Sequence, residues 1–283
     1  MRTSFGIHLD CDPVWVYERE YGIKLVDQGD IYKQAIPRFL ELFREFSISA
    51  TLFIIGSELS SSAARASCNR AMDLGHTIGN HTYSHMEIFG SLSPHEQANE
   101  IRMAHAALTD AGASPKGYRT PGYCFTPALL PTLASLGYIF DGSTLPGPAT
   151  LLMSTHMRLK GRSRKSFGAT RNFFAPRTIR RHSGGIFLVP VAVTPYLRMP
   201  VHTTFIYQFG MRYLNLMMSM LQRSAGHHVL LFHAIDLLDH PTDPTNPILP
   251  LRKSFEERLE IVRILLSRVC DNVVLTEEIL QSL

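Results

Sequence analysis

Short apolar runs alternate with longer amphipathic stretches along this chain, and its reactive side chains fall where the short runs end. Residues 4–9, 50–55, 77–80, 138–141, 186–193 and 229–233 read as strands, with 273–275 as a last one. Residues 30–46 carry Ile36, Phe39, Leu40, Phe43 and Phe46 at helical spacing, and 63–74 form a helix closed by Gly75. Ser93-Pro94-His95-Glu96 is a capping sequence that opens a helix to about Ala111. Thr126-Pro127 opens another that stops at Gly137, and 205–222, 255–269 and 277–280 are expected to be helical. This rhythm predicts an α/β fold, a closed or nearly closed (β/α) barrel. In such barrels chemistry sits at the C-terminal ends of the strands. Asp10, Asp12, His81, Arg119, Asp141 and His233 all stand there.

At 283 residues, with 45% hydrophobic and 18% charged content, the chain can bury a full core and is not a disordered polymer. A single domain over residues 1–283 is expected, interrupted by a poorly periodic basic insertion around 147–185. Cys11, Cys68, Cys124 and Cys270 lie far apart without a CxxC spacing, so neither a disulfide framework nor a cysteine zinc site is expected. The start of the sequence has no basic region leading into an apolar run, and no stretch is long and apolar enough to span a bilayer. The expected location is the cytoplasm, with the inner face of the cell membrane as a peripheral alternative.

The net charge of +4 conceals a segregation. From Gly142 to Ile235 there are twelve Lys and Arg and no Asp or Glu, which leaves −8 on the rest of the chain. Nine of the twelve lie between Arg158 and Arg181. Such a run is either a solvated loop or a surface for phosphate, lipid head groups or an acidic polymer. It lacks interleaved aromatic motifs, so nucleic acid is not expected as a partner.

Two residue groups suggest a metal centre. His81 and His85, four apart, would share one face of a helix and could reach one ion. Asp10 and Asp12 end an apolar strand on the same side, where two crowded carboxylates repel unless a cation stabilises them. One would be a ligand and the other a free base. His8 reads as a hydrogen-bonded core residue, and Asp236 and Asp239 follow His233 closely enough to support it.

Asp10-Cys11-Asp12-Pro13, Asn80-His81-Thr82-Tyr83-Ser84-His85, Tyr118-Arg119-Thr120-Pro121-Gly122-Tyr123 and Leu231-Phe232-His233 resemble, in order, the signature motifs of the polysaccharide deacetylases. These are the NodB-homology enzymes of carbohydrate esterase family four. The resemblance spans residue 5 to about 280 and implies a distorted (β/α)7-type barrel. The first motif departs from the commonest form, two adjacent Asp before Gly-Pro, because Cys11 interrupts it. Asp12 is assigned to the metal because Cys11 points away from Asp10 on a strand, although a Cys11 thiolate stays open as the alternative.

The resemblance further implies one divalent ion held by Asp12, His81 and His85. Zinc is the first choice, and cobalt, nickel or manganese could occupy the same set. It implies Asp10 as base, His233 as acid, Arg119 orienting Asp10, and Asp141 holding or tuning His233. Gly122 or Tyr123 would offer a backbone N–H to the oxyanion, and Leu231 would line the acyl pocket or serve only as core. The implied activity is removal of an acetyl or formyl group from the nitrogen of an amino sugar, lipid-linked or part of a cell-envelope glycan. Lipid-linked aminoarabinose deformylases are more distantly similar. The basic segment would suit a polyprenyl phosphate and anionic membrane contact. The alternatives are a peptidoglycan- or chitin-type deacetylase, an amidase for a small cyclic amide, and an inactive sugar- or membrane-binding module of the same fold.

Overall fold

The computed structural model describes residues 3–25, 29–152, 155, 169–182 and 184–283. The basic residues from Arg158 to Lys165 lie outside the described residues. One sheet curls through the molecule. Its strands are β1 (Thr3–Asp10), β2 (Thr51–Ile54), β3 (Thr77–Asn80), β4 (Gly117–Tyr118), β5 (Phe140–Asp141), β6 (Arg180–Arg181), β7 (Phe187–Leu188) and β8 (Gly226–His233). The order is β6-β7-β5-β4-β3-β2-β1-β8, parallel throughout except for the β6–β7 pair.

Beyond β7 the chain stays extended and reaches the far edge. Val191 pairs in parallel with Val229 of β8, and the Ala192 amide donates to the Val229 carbonyl at 2.8 Å. That segment brings the two edges together into a distorted barrel. The helices are α1 (Val14–Tyr21), α2 (Ala35–Glu45), α3 (Ser62–Asp73), α4 (Pro94–Asp110), α5 (Leu130–Ser135), α6 (Ala169–Phe173), α7 (Thr203–Gln222), α8 (Phe255–Ser267) and α9 (Thr276–Gln281). Among the described residues no helix is long and apolar enough to cross a membrane.

Local chemistry explains most boundaries. Ser93 and Ser254 each close a capping box, with Glu96 and Glu257 reaching back to the cap amide. On α2, Ile36, Phe39, Leu40 and Phe43 bury one face against the sheet core, as their spacing predicts. Beyond β4, β6 and α6, which the sequence pattern did not place, two elements differ from expectation. Residues 273–275 form one bridge, Val273 to Phe5, instead of a strand, and Thr276 then starts α9. β2 pairs with β1 only from His8 onward and β8 takes the other edge, so little of β1 is left to pair with. α1 is the second difference. It has eight residues, begins at Pro13 and ends at Gly22 in the left-handed region (φ 63°). Its length and mixed polarity leave little periodicity to read.

The middle of the barrel is part polar. The His8 ring lies between Phe53 and Phe140, with ring centroids 5.2 and 5.7 Å away. Gly117 makes the close approach possible, because a Cβ there would overlap the Phe140 ring. Beneath and around this layer His8, His76, His202, His227 and His228 are buried, and burial pushes each ring below its ordinary 6.5, His76 and His227 to about 4. The unfolded chain protonates these rings near 6.5 while the folded chain does not, so acid favours unfolding. Stability present at neutral pH should therefore be lost as pH falls from about 6.5 toward about 4. Urea midpoints at pH 7.5, 6 and 5 measure this, with the lowest midpoint at pH 5.

Candidate metal centre and active site

β1 sets up the site by alternation. Leu9 and Cys11 point into the main core, both fully buried, while His8 and Asp10 face the barrel interior. Burial pushes the Cys11 thiol well above its usual range, and its sulfur faces the Leu9 carbonyl at 3.7 Å. Asp12, just past the strand, supplies the carboxylate next to the histidines. Of Cys11 and Asp12, it is Asp12 whose side chain groups with the two histidines.

His81 and His85 are not on a helix. After β3 the chain turns, with Thr82 at φ 64° and His85 at φ 47°. The Asn80 side chain accepts the Thr82 amide at 2.8 Å. Glu100 of α4 accepts the amides of Tyr83 and Ser84 at 3.1 and 2.8 Å, and the Ser84 hydroxyl at 2.9 Å. These acceptors capture the amides that a helix would need, so the turn brings the imidazoles together instead. Glu100 carried no signal in the sequence.

One ligand atom each from Asp12, His81 and His85 lies within 4.8 Å of the others. His81 Nδ1 donates to the Arg119 carbonyl at 2.9 Å, which leaves the Nε2 lone pair 3.3 Å from Asp12 Oδ1. His85 Nε2 stands 3.4 Å from the same oxygen. That oxygen is buried and has no hydrogen-bond partner. Burial alone would raise the Asp12 carboxyl, but His85 and His81 beside it hold it well below the usual carboxylate range. Burial lowers the His85 ring to about 4, so its lone pair is available at neutral pH. An ionised orphan oxygen facing two imidazole nitrogens is the donor set a divalent ion requires. The residues fit such an ion.

Asp10 adjoins this set, and His233 stands next to Asp10. In the parallel register of β1 and β8 they are paired residues, so each projects from the same strand level. Asp10 Oδ2 lies 4.0 Å from His81 Nε2 and 3.9 Å from His233 Nε2. Its other oxygen accepts from Arg119 Nη1 at 2.9 Å. Arg119 is fully buried and also donates from Nε to the Gly142 carbonyl at 3.1 Å, with its guanidinium 4.5 Å above the Phe53 ring.

A cavity of about 150 Å³ opens over these groups. Thr120, Pro121, Gly122 and Tyr123 form one wall, where Gly122 and Tyr123 both have positive φ (62° and 58°). Tyr123 is pinned by Asn172, whose side chain donates to its carbonyl at 2.9 Å. Val16, Tyr17 and Glu20 of α1, with Ile248 to Pro250, border the opposite side.

Two expected residues stand elsewhere. Asp141 does not reach His233. Its carboxylate accepts the Ser143 amide at 2.7 Å, and the Ser143 hydroxyl accepts the Thr120 amide at 2.8 Å. Asp141 thus braces the loop after β5 against the loop that carries Gly122. Burial raises its carboxyl to about 6. Leu231 does not line the cavity. It is two residues before His233 on the same strand, hence about 7 Å deeper in the barrel, packed with Tyr123 and Leu145.

Of the two carboxylates the sequence offered as support for His233, Asp236 borders the cavity, as does His202, which the sequence did not single out. Asp236 accepts the His233 amide at 3.0 Å and the Thr203 hydroxyl at 2.8 Å, and fills the supporting place expected of Asp141. His202 caps α7 by accepting the Thr204 amide at 3.1 Å, and its ring centroid is 4.9 Å from that of His233. Asp239 is on the surface, paired with Arg38 at 3.7 Å.

Comparison with known proteins agrees with this geometry. Residues 25–140 match the family model for polysaccharide deacetylase, a stretch that holds His81, His85 and Arg119. The chain is 24% identical over 146 residues to the peptidoglycan deacetylase of Helicobacter pylori, covering 50% of this chain and 49% of that protein. It therefore spans about half the length of that curated relative. A solved Mycobacterium smegmatis protein assigned to the polysaccharide deacetylases superposes with TM-score 0.61 at 16% identity, covering 99% of this chain and 89% of that one.

Residues 25–140 are similar to the polysaccharide deacetylases, and the fold is theirs.

A Bacillus anthracis protein described as a family-four carbohydrate esterase pseudoenzyme has the same fold (TM-score 0.51, 12% identity, covering 99% of this chain and 66% of that one). The fold alone therefore does not decide activity, and the residues of the site must. Asp12→Asn, His81→Ala and His85→Ala each remove one of three ligands. Each should cost far more divalent-ion affinity than the roughly 10–100-fold lost with an outer partner. Calorimetric zinc titration of the refolded variants measures it, and wild-type affinity in any of them contradicts the assignment.

Proposed function

We propose that this domain hydrolyses the N-acyl group of an amino sugar. The observation that carries the reading is that Asp10 stands between the Asp12–His81–His85 cluster and His233, 4.0 Å from His81 and 3.9 Å from His233, so that all five groups open on one cavity. A divalent ion bound there would supply Lewis acidity at the acyl carbonyl and make nearby water more acidic. Asp10 takes a proton from the attacking water, using Oδ2 because Oδ1 is tied to Arg119. The water oxygen bonds to the acyl carbon, and the backbone at Gly122 and Tyr123 borders the place where the oxyanion forms. His233 gives a proton to the sugar nitrogen as the carbon–nitrogen bond breaks, releasing a carboxylic acid and an amine. Asp236 fixes His233 by accepting its amide.

The size of the cavity suits a short acyl group, acetyl or formyl, with one sugar ring above it. Glu20 and Glu87 border it together with Asp10, Asp12 and Asp236, and among the described residues no Lys or Arg lines it. The sugar that enters is therefore uncharged at the reacting end. An anionic carrier such as a polyprenyl phosphate would lie outside, over the carboxylate-free segment from Gly142 to Ile235. A second reading, peptidoglycan as substrate, is favoured by the likeness to the curated Helicobacter pylori enzyme.

Asp10→Asn should keep zinc affinity within about twofold and lower turnover by the 10²–10⁴-fold expected for a lost general base. Acetate release from N-acetylglucosamine oligomers, with and without added zinc, measures it. An unchanged rate would refute the role of Asp10, and the absence of any release from acetylated or formylated amino sugars would refute the function. Vesicles containing anionic phospholipid should bind the protein at low ionic strength and release it as salt rises. No binding at low salt would remove the lipid-linked form of the reading.

A further inference from the structure

Arg119 fixes the polarity of a hydrogen-bonded chain that leaves the active site and runs down the barrel. A guanidinium only donates. Arg119 Nη2 lies 2.7 Å from His8 Nδ1, so that nitrogen must be an acceptor and the proton of the neutral ring sits on Nε2. His8 Nε2 is 3.0 Å from Thr276 Oγ1 and donates to it. The Thr276 hydroxyl proton is then free for His227 Nε2 at 3.2 Å, and His227 Nδ1 is 3.1 Å from Ser4 Oγ. The first two bonds have a fixed direction once Arg119 is placed, and the last two can continue it. A protonated His8 would set two donors face to face. Its surroundings oppose that state, with the Phe53 and Phe140 rings on its sides, Arg119 above and the Thr276–His227 pair below.

The space for this chain is built in. A Cβ on Gly6 would lie 2.7 Å from both His227 Nε2 and Thr276 Oγ1. Thr276 is the first residue of α9, at the opposite end of β1 from the cavity.

We propose that His8, held by Thr276 of α9, is a positioning residue that fixes the Arg119 fork and, through it, the Asp10 carboxylate. The proposal rests on the reading of Asp10 as the base. The guanidinium has three anchors: the Gly142 carbonyl, Asp10 and His8. Removing the His8 acceptor leaves a buried N–H without a partner and lets the fork turn away from the angle at which it holds Asp10. A shift of a fraction of an ångström at a base lowers the rate without weakening substrate binding.

The test compares His8→Phe, which keeps a ring and loses the acceptor, with His8→Asn, whose amide oxygen stands near the place of Nδ1, and with Thr276→Val. His8→Phe should lower kcat for acetate release about 10–100-fold, the range for a lost supporting partner, with KM within twofold and zinc affinity unchanged. His8→Asn should recover most of kcat, and Thr276→Val should fall between. Wild-type kcat in both His8→Phe and Thr276→Val overturns the proposal, as does an Asn variant as slow as the Phe variant. Nitrogen-15 spectra of the histidines in the wild-type protein test the chain without any turnover. His8 should be neutral with its proton on Nε2, and an Nδ1 proton or an imidazolium overturns the proposal. If the wild-type protein releases no acetate or formate, the assignment of function fails. The chain then stands or falls on crystal structures of wild type and His8→Phe, where an Arg119–Asp10 contact left unmoved refutes it.

Discussion

A full positive charge buried in the middle of a barrel constrains everything near it. Arg119 is wholly shielded from solvent, and an unpaired guanidinium there would cost several kcal/mol. It is accommodated because three polar groups and an aromatic face turn toward it: Asp10 and His8 from β1, the Gly142 carbonyl after β5, and the Phe53 ring of β2. Its own backbone carbonyl then fixes which nitrogen of His81 carries the proton. One residue thus sets the orientation of Asp10 and the tautomer of His81, so the electrostatics of the barrel centre and the geometry at its mouth cannot be varied separately.

Much of this could be read from residue order. Strand alternation placed Asp12 with Asp10 and sent Cys11 into the core, as found, because period-two geometry is insensitive to tertiary context. His8 was readable as a hydrogen-bonded interior residue, but its partner Arg119 is 111 positions away and no local pattern announces it. The spacing of His81 and His85 suggested a helix. Two histidines four apart can also meet across a turn, and what selects the turn is Glu100 on a neighbouring helix. Asp141 follows a strand, as a site residue should, yet its carboxylate is taken by the amide two residues on. Asp236 does the supporting work near His233 from a short turn whose shape depends on packing beneath α7.

Charge is distributed to match this division. The described cavity wall is acidic or neutral, while the stretch from Gly142 to Ile235 contains only basic charges.

The register that sets Asp10 beside His233 joins the first strand of the chain to the last. Asp12, His81 and His85 all emerge early during synthesis, and the imidazole that completes the site arrives only with β8. A ribosome-bound intermediate ending at α7 would hold Asp12, His81 and His85 yet lack His233. The pairing of Asp10 with His233 waits for β8, and the long loop closure between the two strands makes it a late event in folding.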